Sequence, residues 1–554
     1  MRKGSVTIFL CLVMTVMAAL LLGCIFSVKV RAGRAMLVNG SDQALFSLLA
    51  RYDRQMLEDF DVFLLDGGCG TSELHPEKLS RWALDDLSYI ANPARGLWPL
   101  SSKSLLDLSV EACDLTGYTL ITDAGGRIFR DAALRYQKET GIITSAAAAV
   151  NWIRSLKNLS DAQEQAYAVV AAASASGDLD ETRKAARQVS GRLAEAAAAA
   201  ANAQTAAGGA GIETMSALRR TGSFREDRPG YFEKLTGGFA AGLRSLVFEK
   251  EGNAYAEEMA AGAPNVPAGL SDTMPFLSMI VASPILTLTI TDASSLSWRS
   301  AKAGELYGNR PHRQGMGILE IPRSGDDPTD KFLYNEYLLS HLGNRKDVQE
   351  DAALYCPAEY LIVGSTEDAR NVEGVINRIL LFREGVNLVF LLNDPVKSAM
   401  LKTAGLTIAT VAGQPEIANE LATALAAAWA YAESLVDIRG LFLGKRNCFL
   451  KDSAHWQLGL GDFPAFFGGG IDHLVKGSGA GPGYLDYLRM LLFLENADTV
   501  LRRSLDMVEL CERGKDRPDF RLDNGLTNVT IFAEALSERR IRMSCERSCG
   551  YREL

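Results

Sequence analysis

Residues able to do chemistry are spread thinly along this 554-residue chain. The five histidines, His75, His312, His341, His455 and His473, stand isolated from one another. No His-Glu-x-x-His, Gly-x-Ser-x-Gly or Cys-x-x-Cys pattern is present, so a zinc pair, a nucleophile elbow and a redox dithiol are not encoded locally. Asp292-Ala-Ser294-Ser295-Leu296-Ser297 misses a metal-holding Asp-x-Ser-x-Ser pattern by one position, because Leu296 stands where the second hydroxyl is needed. It reads as a turn with helix-capping serines. Gly477 to Gly483 lacks the Gly-Lys-Ser/Thr ending of a phosphate loop and reads as a connector. Asp85-Asp86 and Asp326-Asp327 read as solvated pairs. The sequence therefore names no catalytic residue, no cofactor site and no metal site.

Cysteine gives two further candidates. Leu21-Leu22-Gly23-Cys24 approaches a lipidation box, which makes Cys24 a candidate lipid attachment point. Cys545 and Cys549 lie four apart near the C-terminus and are a candidate disulfide. With nine cysteines in all, the chain is not a disulfide scaffold.

The elements around these residues begin with a membrane span. Arg2-Lys3 precede an uncharged run from Gly4 to Val28, with Ile8, Phe9, Leu10, Leu12, Leu20, Leu21 and Leu22 as its bulk. About 25 such residues cross a roughly 30 Å hydrocarbon layer with some tilt. A cleaved signal has an apolar run of only about 7–15 residues. Residues 1–28 are thus expected to be an uncleaved anchor in the lipid bilayer. Lys29, Arg31 and Arg34 nearly cancel the charge bias, but a very short tail usually stays inside, which places the bulk of the chain outside the cytoplasm.

Residues 29–60 continue as an amphipathic stalk helix, bent near Gly40. Leu45, Leu48, Leu49, Tyr52 and Met56 form its apolar stripe, which must dock on the protein's own body or on neighbouring copies. A first α/β part follows at 61–140, with strands at Phe60–Leu65 and Leu105–Leu115 and helices at Leu79–Tyr89 and Ala124–Lys138. Residues 141–272 read as an Ala-rich helical insertion and linker, a protruding hairpin followed by a helix near Tyr231–Glu249. Alanine favours helix, yet alanine faces bury little area. The second α/β part, 273–554, is expected to hold strands at Ile285–Thr291, Glu359–Gly364 and Phe520–Ala533. Its helices are expected at 330–341, 367–382, 415–436 and 484–512. The fold class is α/β mixed (α+β).

Composition is that of a packed globular protein, 47% hydrophobic and 23% charged. The net charge of −9 lacks the basic footprint of a nucleic-acid binder.

Several stretches resemble one family. They are Arg2-Lys-Gly-Ser-Val-Thr-Ile-Phe9, Tyr52-Asp-Arg-Gln-Met-Leu57, Phe63-Leu-Leu-Asp66 and Thr116-Gly-Tyr-Thr-Leu-Ile-Thr-Asp123. Further along come Glu359-Tyr-Leu-Ile-Val-Gly364, Asn377-Arg-Ile-Leu380, Ala428-Trp-Ala-Tyr-Ala-Glu-Ser-Leu-Val-Asp437, Tyr484-Leu-Asp-Tyr-Leu-Arg489 and Phe520-Arg-Leu-Asp-Asn524. The chain resembles the DUF5702 family of Clostridia and related Firmicutes, whose members often lie near genes of the tight-adherence (Flp, type IVc) pilus. Its opening also looks like the TadE/TadG pilus-assembly pattern. Gly4 fits a class III prepilin start, but Phe9 stands where a pilin carries Glu. The resemblance implies an anchored, extracytoplasmic structural or assembly component, working with other pilus or surface-assembly proteins. The alternative is an anchored surface enzyme or binding module acting on cell-wall or carbohydrate material.

Overall fold

The computed structural model describes residues 3–91, 108–140, 146–174, 178–208, 280, 283, 285–290, 296–317, 327–348, 353–411, 413–466, 470–479, 481–537 and 541–551. In chain order the first elements are α1 (Lys3–Leu49), α2 (Arg54–Phe60), β1 (Leu65–Asp66), α3 (Pro76–Ala91), β2 (Ser109–Leu120) and α4 (Asp123–Glu139). Next come α5 (Ala146–Ser174), α6 (Leu179–Gly208), α7 (Ile285–Thr289), α8 (Pro328–His341), α9 (Pro357–Val363) and α10 (Asp368–Asn393). The last are α11 (Pro395–Val411), α12 (Ala418–Phe442), α13 (Tyr484–Leu494), α14 (Ala497–Gly514), β3 (Gly525–Leu536) and β4 (Arg542–Gly550). The mixture is α+β, dominated by helix.

The chain divides into two units, each built from separated stretches. The first holds Met1–Tyr136, Arg310–Gly325 and Glu512–Leu554; the second holds Gln137–Asn309 and Asp326–Cys511.

In the first unit β3 is the central strand. It pairs antiparallel with β2 on one side, from Ser109↔Leu536 to Leu120↔Leu526, and with β4 and short β1. Alternation along β3 puts Val529, Ile531, Ala533 and Ala535 on one face. That face packs with Leu37, Leu45, Leu48 and Leu49 of α1 and with Leu79, Ala83 and Leu87 of α3. The stalk is not one helix through Phe60. It stops at Leu49, and Asp53 restarts it by accepting hydrogen bonds from the Gln55 and Met56 amides at 3.1 and 3.2 Å. The expected strand at Phe60–Leu65 shrinks to Leu65–Asp66.

Among the described residues, the named elements of the second unit are all helices, joined by irregular segments such as 443–462. The expected strands at Ile285–Thr291 and Glu359–Gly364 are helices there, α7 and α9. Pro357 at the first turn and Gly364 at φ 82° bracket α9, the usual signs of a helix start and stop. The expected helix at 484–512 is two, broken around Glu495. The Ala-rich region is no protruding arm. Trp152, Ile153, Leu156 and Leu159 of α5 are buried, and Arg183 Nε of α6 donates to the Leu392 carbonyl of α10 at 3.2 Å. Larger side chains at helical spacing among the alanines supply the buried area. The expected helix near Tyr231–Glu249 lies outside the described residues.

Among the described residues, two helices are long and apolar enough to cross a membrane. One is α1, whose residues Ile8 to Val28 are exposed along the whole run. The other is α12, which is mostly buried as a core helix of the second unit.

Candidate functional site

The sequence-nominated residues fall in four places. Ile8, Phe9, Leu10, Leu12, Leu20, Leu21 and Leu22 are exposed on α1, and Cys24 with them. Leu45, Leu48, Leu49 and Met56 are buried inside the first unit, so the stripe docks on the protein's own body and is closed to other molecules. Tyr52 is half-buried, with its ring edge against Phe63 at 5.3 Å between centroids. Cys545 and Cys549 both lie on β4 and are not bridged to one another. Four residues of extended strand separate their backbones by about 13 Å, too far for a bridge. Cys545 Sγ instead lies 3.4 Å from Ser41 Oγ. Asp292 to Ser295 lie outside the described residues, and Ser297 Oγ donates to Asp368 at 2.5 Å. Among the described residues, no three His, Cys, Asp or Glu gather to hold a metal.

The densest chemistry is a cluster that the sequence did not flag. Glu433 and Asp437 are four apart on α12 and share one face. Arg383 and Asn387 have the same spacing on α10, which packs against it. Lys451 enters from the segment after α12. Exposure of Glu433, Asp437, Lys451 and Arg383 is between 0% and 2% for each side chain. Two cations thus balance two carboxylates in a space closed to water.

Every carboxylate oxygen has partners. Asp437 Oδ2 accepts from Arg383 Nε at 3.1 Å, Arg383 Nη2 at 2.9 Å and Asn387 Nδ2 at 3.2 Å. Asp437 Oδ1 accepts from Lys451 Nζ at 2.7 Å and Gln457 Nε2 at 3.1 Å. Glu433 Oε1 accepts from Lys451 Nζ at 2.6 Å and the Gln457 amide at 3.0 Å. Glu433 Oε2 accepts from the Leu458 amide at 2.8 Å. Beside them Trp429 and Trp456 meet edge to face at 5.5 Å, and both indoles donate to the Leu458 carbonyl.

The two carboxyls differ. Burial pushes the Glu433 pKa up and outweighs the pull of Lys451. Burial also acts against ionised Asp437, but Lys451 and Arg383 together hold its pKa below the usual carboxylate range. Lys451 is held above its ordinary value: burial opposes its charge, and Asp437 and Glu433 more than offset that. The neighbour Glu384 is buried with no hydrogen bond to Oε2 among the described residues, and burial alone pushes it up to about 7. A separate shallow hollow of about 630 Å³ on α11, lined by Val396, Ala399, Met400, Thr403, Thr407 and Leu460, carries no charged residue.

An α+β body behind an apolar N-terminal helix, with a charge-balanced cluster buried in its helical unit, defines the class. Residues 268–536, which contain that cluster, match the model of a family of unknown function, DUF5702, and this match supports assigning the chain to that family. No curated protein matches the chain, and no solved structure matches it.

Proposed function

We propose that the chain is a membrane-anchored, extracytoplasmic structural or assembly component of a tight-adherence (type IVc) pilus or a related surface assembly. The observation that carries this reading is the double character of α1. Its front half, from Ile8, is bare and apolar; its rear half, from Leu37 to Leu49, is core of the first unit. Both belong to one unbroken helix, Lys3–Leu49. Apolar surface of that size left open to water is costly, at roughly 25 cal/mol per Å², and a bilayer removes the cost. A structural role is supported by the cluster on α10 and α12, whose two cations and two carboxylates are buried and paired with one another. Phe46 and Phe63 stay exposed on the first unit and offer aromatic surface of the kind that anchors protein contacts.

The test is extraction and topology. The full chain should stay with membranes through salt and carbonate, dissolve in detergent, and be digested by protease added to intact cells. A photo-crosslinker at Phe46 should capture pilus or surface components. Release by carbonate alone, or protection in intact cells, would overturn the reading.

A further inference from the structure

The cluster holds the three parts of an acyl transfer. Lys451 Nζ is an amine in contact with a carboxyl group. Asp437 is that carboxyl, with one oxygen toward the amine and the other held by three N–H donors. Glu433 touches the same amine and completes the set as a base. We propose that Lys451 and Asp437 are joined in the mature protein by an intramolecular amide bond, formed with the help of Glu433.

The step balances without any outside reagent. Lys451 Nζ attacks Asp437 Cγ; the N–C bond forms and the Cγ–Oδ1 bond breaks. The ammonium gives up two of its three protons, and both depart with Oδ1 as one water molecule. Nothing is oxidised or reduced. Glu433 Oε1, 2.6 Å from Nζ, takes a proton from the amine and passes it to the leaving oxygen. Lys451 and Asp437 rest as an ion pair, so attack follows a direct proton transfer from Nζ to Oδ1, 2.7 Å away, which leaves a neutral amine and a neutral acid; the proton relayed by Glu433 is the second, and it converts the departing hydroxyl to water.

The other oxygen explains why Asp437 and not Glu433 is the acceptor. Negative charge grows on Oδ2 as the tetrahedral intermediate forms. Arg383 Nε, Arg383 Nη2 and Asn387 Nδ2 already donate to that atom, so the stabilising dipoles are in place before reaction. The far oxygen of Glu433 has a single backbone donor. Fixing amine and carboxyl in contact supplies an effective concentration of roughly 10⁵–10⁸ M in well-oriented cases. The product is also suited to its surroundings. It removes one buried cation and one buried anion, and the remaining pair, Arg383 and Glu433, still balances. Exclusion of water protects the amide from hydrolysis. This inference stands independently of the membrane reading.

The experiment is intact-mass measurement and tryptic mapping of the full-length protein, extracted in detergent, beside Glu433→Gln and Lys451→Met. Trypsin cuts at Arg439, Lys445 and Arg446, so a bond between residues 437 and 451 yields a branched peptide. The wild type should give that peptide and be lighter than its unlinked form by one water. Both variants should keep the water and give linear peptides. Separate linear peptides carrying Asp437 and Lys451 from the wild type overturn the proposal, whatever the variants do. Water loss without branching overturns it too, as does a branch from Lys451 to Glu433.

Discussion

Asp42 of α1 and Arg547 of β4 form a two-bond ion pair, Nε to Oδ1 at 2.6 Å and Nη2 to Oδ2 at 3.0 Å, across 505 positions of chain. Near them Tyr551 donates its hydroxyl to the Leu49 carbonyl at 2.6 Å. Strand β4 thus closes over α1, and the first unit cannot finish folding until the segment carrying β4 is made. The exposed ion pair itself adds little stability, because solvent screens it. The apolar seam beneath it matters more.

That seam makes the first prediction. Leu48 is fully buried between α1 and the sheet. Leu48→Ala should destabilise the first unit by about 2–5 kcal/mol, the usual cost of a leucine-sized cavity. Limited proteolysis should cut β4 sooner in the variant. Unchanged protection would show that the seam does not hold the strand.

The second concerns pH. Folded Glu384 titrates near 7 because burial disfavours its charge, against 4.5 in the unfolded chain. Between those values the folded protein binds the extra proton, so this residue's contribution to stability falls as pH rises through the window. Glu384→Gln removes the effect. Urea unfolding of the second unit should show the variant gaining on the wild type from pH 4.5 to 7, by an amount on the order of 3 kcal/mol, and then levelling off. A constant difference across that range would refute the assignment.

The third tests the loop from Gly477 to Gly483. Gly481 has φ 105°, and a Cβ there would lie 1.9 Å from the Asn447 carbonyl oxygen. Asn447 in turn donates to the Asp437 carbonyl at 3.3 Å. Gly481→Ala should cost at least about 1–3 kcal/mol from backbone strain alone. It should also increase proteolysis near residue 447, whereas Gly461→Ala, which meets open space, should not.

A fourth follows from exposure on α1. Cys11 and Cys24 face outward from the apolar run. A charged maleimide should label both in denaturant and neither in intact membranes. Recovery of Cys24 with an attached acyl chain would assign it as a lipid anchor; rapid labelling in membranes would place the run outside the bilayer.

How far the residues announced this structure depends on range. α1 was legible because a long uncharged run has few readings. The restart at Asp53 was missed because the apolar spacing runs on through Met56 and Phe60; an Asp just ahead of Gln55 and Met56 was the capping signal that could have marked it. Glu359 to Gly364 looked like a strand because a short apolar run has no helical period to display; Pro357 and Gly364 were the signals that could have corrected it. The Ala-rich hairpin misled for another reason: alanine hides how much of a helix is buried, and Trp152, Ile153, Leu156 and Leu159 held the information. The charged cluster was half visible. Carboxylates four apart inside apolar α12, and Arg383 and Asn387 four apart inside α10, are conspicuous once both helices are known to be core. Lys451 could not be paired with them from sequence, because only the folded chain brings that segment back.

The helix from Lys3 to Leu49 carries one last implication. It holds no proline, and the bend expected near Gly40 does not break it, so about 70 Å of helix runs from its apolar front into the core of the first unit. A sideways pull on that unit would be carried along the rod to its apolar front, and a twist would turn the rod about its own axis.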